Sequence, residues 1–393
     1  MPQQTYSLRQ LVSYFLKLGA TGFGGPVALV NYMHRDLVED RKWINEEEYK
    51  EGLTLAQLAP GPLAAQLGMY LGFLHFGIWG ATLSGLAFVL PSFVMVVALG
   101  VAYKVFDGLP WMQAVFYGVG AAVIGIIVMS SYKLTTKSIG KFSLSSFKQK
   151  WLLWLFYIIT MIVTFFWQTE VLWLFVGAGL LYMFVQAPPA WAKRNTANSI
   201  LLLASAGFWD YKPKTLQQMA LFFAKAGAFV FGSGLAIIPF LHSAVTEYHW
   251  INEQTFLDAV AVAMITPGPV IITVGFIGYL AAGFPGACVA ASATFLPCYF
   301  LTIIPAPYFK KYAKNTSIKA FVDGITAAVI GALTGSVVII AINTFTRNHT
   351  VVVDIPSVII AIVTVLALIY IKKIQEPYII AAAAVVGIIL KSL

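Results

Sequence analysis

Charge is what this sequence has least of. Asp, Glu, Lys and Arg together make 10% of its 393 residues against 59% hydrophobic, whereas a soluble domain carries about 25% charged residues. With a mean hydropathy of +0.82, the chain cannot cover a fold with water-facing surface, so a soluble enzyme or binding module is excluded and a bilayer is the expected solvent. Cysteine is nearly absent. Cys288 and Cys298 both lie in apolar stretches with no His or carboxylate spaced to share a metal, so they read as small core residues, and no disulfide framework or metal site is expected. Nothing resembles a G-x-x-x-x-G-K-[ST] phosphate loop, which removes built-in ATP hydrolysis. Five His and two Cys form no nucleophile with its base, so the chain is not expected to be an enzyme or to carry a cofactor. Met1 to Gln10 is polar and no small-residue cleavage site follows a short apolar core, so the first apolar stretch is expected to stay in place.

What the sequence does have, it has twice. FLKLGATGFGGPVALVNYMH over 15–34 is answered by FAKAGAFVFGSGLAIIPFLH over 223–242, with Lys17/Lys225, Gly19/Gly227, Phe23/Phe231, Gly24/Gly232 and His34/His242 in register. Trp43-Ile44-Asn45-Glu46 matches Trp250-Ile251-Asn252-Glu253, Pro60-Gly61-Pro62 matches Pro267-Gly268-Pro269, and Ala121-Ala122-Val123-Ile124-Gly125 matches Ala327-Ala328-Val329-Ile330-Gly331. A duplication of half the chain in so apolar a sequence points to a transporter built from repeats.

Each half holds six apolar segments, at about 8–33, 52–75, 77–103, 110–131, 151–168 and 170–187, and again from 216 to 391; a spanning helix needs about 20 such residues. The net charge is +9, and the lysines are clustered. Lys133, Lys137, Lys141, Lys148 and Lys150 make 132–150 basic; Lys193, Arg194, Lys212 and Lys214 do the same for 188–215, and Lys310, Lys311, Lys314, Lys319, Lys372 and Lys373 follow in the second half. The positive-inside rule puts all of them in the cytoplasm. That is met if the first segment of a half enters and leaves on one side, which leaves an odd number of crossings and inverts the second half relative to the first. The expected fold is therefore an all-α integral membrane protein. It has two homologous inverted repeats, 1–187 and 216–393, each of about five spanning helices plus a broken or re-entrant segment. A basic cytoplasmic linker joins them at 188–215, and both chain ends lie outside.

The breaks are visible. Phe23-Gly24-Gly25-Pro26 and Phe231-Gly232-Ser233-Gly234 place glycines inside apolar stretches, where each costs about 1 kcal/mol relative to alanine in a helix. Pro60-Gly61-Pro62 and Pro267-Gly268-Pro269 interrupt the second segments, proline disfavouring helix before itself and suiting the first turn of a new one. The free N–H groups of such starts, at Leu63 and Ala64 or Val270 and Ile271, attract an anion. A single Gly or Pro in a membrane helix is usually only a kink, but four breaks in matching places mark a substrate site.

Several polar residues fall near these breaks. Lys17 and Lys225 sit six positions before the Phe-Gly break, roughly 9 Å along a helix, where they either match the charge of a bound dianion or snorkel to the interface. Gln57 and Gln66 flank the first break as hydrogen-bonders, and Thr266 stands at the second. His34 and His242 read as a proton relay or, more simply, as interfacial hydrogen-bonders. Asn45 and Asn252 read as helix N-caps.

Leu18-Gly19 to Phe23-Gly24-Gly25-Pro26, Trp43-Ile44-Asn45-Glu46, Leu58-Ala59-Pro60-Gly61-Pro62 with Gln66, and Leu90-Pro91-Ser92, taken in that order, resemble the signature of the chromate ion transporter family, over most of 8–131 and again of 216–343. Its long-chain members are similarly built of two homologous halves. Ala28-Leu29 stands where the family's motif usually continues to a histidine, so no histidine role carries over. The resemblance implies a multi-pass inner-membrane protein that exports chromate and also recognises sulfate. A secondary transporter of a tetrahedral oxyanion, driven by membrane potential or an ion gradient, fits both readings; a passive anion channel or a carrier of sulfate or another oxyanion is the alternative. The partners this implies are a small inorganic oxyanion and membrane lipid, with a coupling ion and a homodimer as further options and no nucleic acid.

Overall fold

Glycine and proline decide where this all-helical chain turns. The computed structural model describes residues 6–106, 109–168, 171–189, 215–230, 234–309, 315–346, 353–371 and 376–392. Helix α1 (Leu8–Thr21) starts in a capping box in which Ser7 accepts from the Gln10 amide and the Gln10 side chain accepts from the Ser7 amide. It stops at Gly22, and Gly24 (φ 99) and Gly25 (φ 72) reverse the chain in a left-handed conformation that costs glycine little. Helix α2 (Gly25–Met33), continued by a π-helical stretch His34–Asp40, returns along α1. Leu29 reaches the Gly22 end, and the Arg41 guanidinium lies 5.2 Å over the Tyr14 ring. The first apolar segment is thus a re-entrant hairpin.

The second segment folds back as well. Helix α3 (Glu46–Leu58) is capped by Asn45, which accepts from the Glu48 amide at 2.8 Å. After the break at Ala59–Pro62, helix α4 (Leu63–Phe106) runs back so that Tyr70 packs over Gly52. Among the described residues, four helical stretches are long and apolar enough to cross a bilayer: Leu63–Phe106, Trp111–Ser138, Val270–Tyr308 and Thr316–Phe345. Two of these are not straight. Phe76 and Gly77 leave helical geometry, and Gly72 comes against the Gly80 backbone and Ser84, so α4 is an inner limb (63–75) folded against an outer limb (78–106). A Cβ at Gly72 or Gly80 would enter the facing backbone, and the hairpin requires both to be glycine.

The rest of the first half is α5 (Pro110–Ser138), the short α6 (Leu144–Gln149), α7 (Trp151–Trp167) and α8 (Leu172–Gln186). The second half repeats the plan with α9 (Thr215–Phe229), α10 (Ile238–Thr246), α11 (Glu253–Ile265), a 3-10 turn Val270–Ile272, α12 (Thr273–Ile303), α13 (Thr316–Phe345), α14 (Ile355–Tyr370) and α15 (Glu376–Ser392). Helix α12 folds back at Ala282-Gly283, bringing Gly278 against Gly286.

The two halves exchange their last hairpins. Helices α7 and α8 pack on α13, where Gly331 meets Tyr157 and Thr160 and Gly324 meets Ala178 and Gly179; α14 and α15 pack on α5, where Gly125 meets Ala361 and Thr364 and Gly118 meets Ala383 and Gly387. Small residues at these crossings let backbones approach closely, the usual way helices associate in lipid. The outer limb of α4 and its counterpart in α12 cross antiparallel. Thr82 Oγ1 lies 2.6 Å from Tyr299 Oη, while Phe93 sits 6.5 Å from Phe284.

One end of the bundle gathers Tyr6 stacked on Trp43 at 4.7 Å, Phe309 beside Glu46 and Lys50, and Asp323 within reach of Lys150. The other gathers Lys104, Gln168, Trp250 and Asn343 around one vestibule. Two expectations change here. The chain enters α1 at the end that carries 139–150, and Lys391 near its close lies over Tyr117, which bonds Asp354 at the opposite end, so the two chain ends do not share a side. Residues 190–214, most of the basic linker, lie outside the described residues, but α8 ends at the first end of the bundle and α9 begins at the second. The reason is parity. With 52–75 folded back rather than crossing, the first half has four traversing limbs and returns to its starting end.

Candidate anion site at the helix breaks

The breaks meet at mid-depth. The Gly61 N–H donates to the Val230 carbonyl at 2.5 Å, and the Gly268 N–H donates to the Gly22 carbonyl at 2.8 Å. Gly61 matches Gly268 in the repeat and Val230 matches Gly22, so these are two copies of one contact, each joining the second tip of one half to the first tip of the other. Ser92, equally far from 78 and 106, donates to the Gly19 carbonyl at 3.3 Å and stands where a Cβ on Gly268 would be. Its counterpart Cys298 donates to the Gly227 carbonyl at 3.5 Å and borders Gly61 in the same way. The Leu90-Pro91-Ser92 motif therefore seats a tip, and Cys298, read from sequence as a core residue, seats the other.

A cavity of about 300 Å³ opens beside the pair Gly22 and Gly268. One wall is the Gly22 to Val27 turn, a second is Ala263, Met264, Thr266, Gly268 and Val270, and a third is Ser130, Lys133 and Lys137 of α5 with Glu376 at the start of α15. Two helix starts face it. Helix α2 has Gly24 as N-cap and the 3-10 turn leading into α12 has Pro269, neither with a side-chain cap among the described residues, and the first N–H groups of an uncapped helix start favour an anion. Nothing lies within 4 Å of the Cβ position of Gly25. Lys133 and Lys137 belong to the last turns of α5, so the mouth faces the end of the bundle that carries 139–150. Two ammonium groups, one carboxylate and two uncapped helix starts line this cavity, and ammonium groups and helix starts are groups that attract an anion.

The sequence candidates divide accordingly. Gly24, Gly25, Thr266 and Gly268 line the cavity, Pro267 lies within its wall, and Pro269 caps the second helix start. Pro60, Gly61, Pro62 and Leu63 form the other tip, where Leu63 is buried and the fully buried Gln66 donates from Nε2 to the Pro60 carbonyl at 2.8 Å, bracing the break. Gly234 is buried against Val270. Gly232 and Ser233 lie outside the described residues. Gln57 is exposed. Lys17 and Lys225 are not brought to the cavity. Both are exposed, beside exposed Leu16 on α1 and a turn from exposed Leu221 on α9, as snorkelling side chains are. The cations that do reach it, Lys133 and Lys137, were legible only as an orientation signal. Their i,i+4 spacing places them on one helix face once α5 is seen to run on to Ser138.

The repeated histidines join the repeated Trp-Ile-Asn-Glu motifs. His34 Nε2 lies 2.8 Å from Glu46 Oε2, and His242, 2% exposed, lies 3.1 Å from Glu253 Oε1. The hydrogen bond from His34, with that from Lys50, holds the Glu46 carboxyl below its ordinary range. Each pair ties the returning limb of the first hairpin to the start of the second.

The chromate transporter family model matches residues 9–183 and again 217–388. A chromate transport protein of Cupriavidus metallidurans is 60% identical over 98% of this chain and 94% of its own length. A probable chromate transport protein of Synechococcus elongatus is 56% identical over 98% and 96%, and a chromate transport protein of Pseudomonas aeruginosa is 31% identical over 83% and 79%. No solved structure matches. With a match in each half and relatives alike over nearly the whole length, the chain belongs to the chromate transporter family, and it is a multi-pass membrane transporter rather than an enzyme.

Proposed function

We propose that this protein exports chromate across the cell's inner membrane through the cavity at Gly25 and Gly268, by alternating access of two oppositely oriented halves. The observation that carries the reading is the convergence of two uncapped helix starts with Lys133 and Lys137 at a cavity reaching the bundle's mid-depth. An anion there exchanges hydration for N–H groups and ammonium charge. Its mouth lies at the end rich in Arg35, Arg41, Lys42, Lys50, Lys141, Lys148 and Lys150, which the positive-inside rule makes cytoplasmic, so the site loads from the cytoplasm. The antiparallel crossing of the equivalent limbs of α4 and α12 supports the inverted repeat. The relatives' names supply chromate, and sulfate, a tetrahedral dianion of similar shape, competes for the same groups. Moving two negative charges out of an interior-negative cell gains about 4.6 kcal/mol per 100 mV, at roughly 2.3 kcal/mol per charge, so membrane potential suffices as a driving force. Everted vesicles test this. Chromate uptake should saturate, be inhibited by sulfate and vanish when the potential is collapsed; uptake that stays linear with concentration would identify a channel.

A further inference from the structure

We propose that Glu376 sets the charge of the cavity so that a dianion is held and then released, which rests on the reading of that cavity as the transport site. Glu376 lines it together with Lys133 and Lys137. Its position is fixed by α15 packing closely along α5, Gly387 on Gly118, rather than by an ion pair, since among the described residues none joins it to either lysine. A carboxylate in an anion cavity costs binding energy by like-charge repulsion.

The charges give the answer. Two lysines contribute two positive charges, the starts of α2, α12 and α15 add the equivalent of about half a charge each, and the C-terminal end of α5 takes about half a charge away. Against roughly three positive charges a dianion would be strongly overmatched and slow to leave. Glu376 brings the sum to about two, the charge of the ligand. Transport requires binding favourable enough for entry and weak enough for exit, and the carboxylate supplies the second condition. The vestibule at the opposite end holds Lys104 and Glu253 but no second lysine among its described lining residues, so this balance belongs to the loading side.

The test compares Glu376→Gln with the parent in proteoliposomes, using chromate as the dianion and perrhenate as a tetrahedral monoanion. Coulomb energy scales with ligand charge, so removing one negative charge should tighten chromate by the square of the factor for perrhenate. A tenfold fall in the apparent KM for chromate would accompany about a threefold fall in the dissociation constant for perrhenate, with turnover of chromate reduced. Glu376→Asp, which keeps the charge, should show neither the tenfold nor the threefold fall, which separates loss of charge from loss of the wild-type side chain. Equal shifts for the two anions, or none, would overturn the proposal. If Lys133→Gln and Lys137→Gln leave chromate affinity unchanged, the cavity itself is wrongly assigned; if they weaken it while Glu376→Gln does nothing, only the role of Glu376 fails.

Discussion

Gly268 gives its N–H to the carbonyl of Gly22 at 2.8 Å, and the two residues come from different halves of the chain. The matching bond from Gly61 to Val230 makes the centre of this protein a pair of main-chain clasps, seated by the side chains of Ser92 and Cys298. Polar backbone at mid-membrane depth survives only where protein or a water-lined cavity satisfies it. Here the tips of the two halves satisfy one another through these two bonds.

Gly268→Ala should therefore be costly. Gly268 has φ 96, and an added Cβ would meet the Ser92 hydroxyl, so strain of about 1–3 kcal/mol adds to overpacking. Thermal unfolding in detergent should fall and chromate resistance should be lost. Ser92→Gly in the same chain should return part of the stability by vacating the space. Gly25→Leu differs: the space beside Gly25 is open, so the protein should insert normally while the side chain fills the cavity and stops transport.

Lys133→Gln and Lys137→Gln should each raise the apparent dissociation constant for chromate about tenfold, the equivalent of 1.4 kcal/mol. Lys17→Gln and Lys225→Gln should leave it unchanged. Isotope binding to purified protein separates the two pairs, and a loss confined to the second pair would return the charge to α1 and α9.

The His and Glu pairs should differ in weight. His242 is nearly fully buried, so His242→Ala should cost about 1–3 kcal/mol, whereas the solvent-screened His34 pair should contribute less. Because Glu46 is held below its ordinary range, its stabilising effect is present above the usual carboxylate pKa and lost as pH falls through the depressed value. Melting temperatures measured from neutral pH into the acid range should show that loss in the parent and not in Glu46→Gln.

Much of this was legible in the sequence. The repeat, the breaks at Gly24-Gly25, Gly61 and Gly268 and the caps at Asn45 and Asn252 follow from local chemistry, because glycine and proline act on their own backbone and asparagine caps its own helix. What was not legible depends on contacts between distant segments. The fold-back of 52–75 shows only when Tyr70 meets Gly52, and its effect on parity moves the N-terminal end to the other side. Lys133 and Lys137 could not be assigned to a site until α5 was known to pass the tip of the first hairpin. Lys17 and Lys225 looked attractive because they repeat, but repetition records shared ancestry of the halves and says nothing of which face a residue occupies.

The exchanged hairpins make a separate prediction. Fragments 1–199 and 200–393, cut within the linker, should reconstitute chromate resistance when co-expressed, since Gly331 and Gly125 need partners from the other half. Either fragment alone should be degraded. A stable fragment that folds by itself would show that the exchange is dispensable.

The most direct measurement is the position of chromium in the protein, read from its anomalous scattering in crystals grown with chromate. The account predicts a peak between the backbone of Gly25 and Val270 and the ammonium groups of Lys133 and Lys137. A peak in the vestibule of Lys104 and Asn343 with none at the breaks, or one beside Lys17 or Lys225, would contradict it.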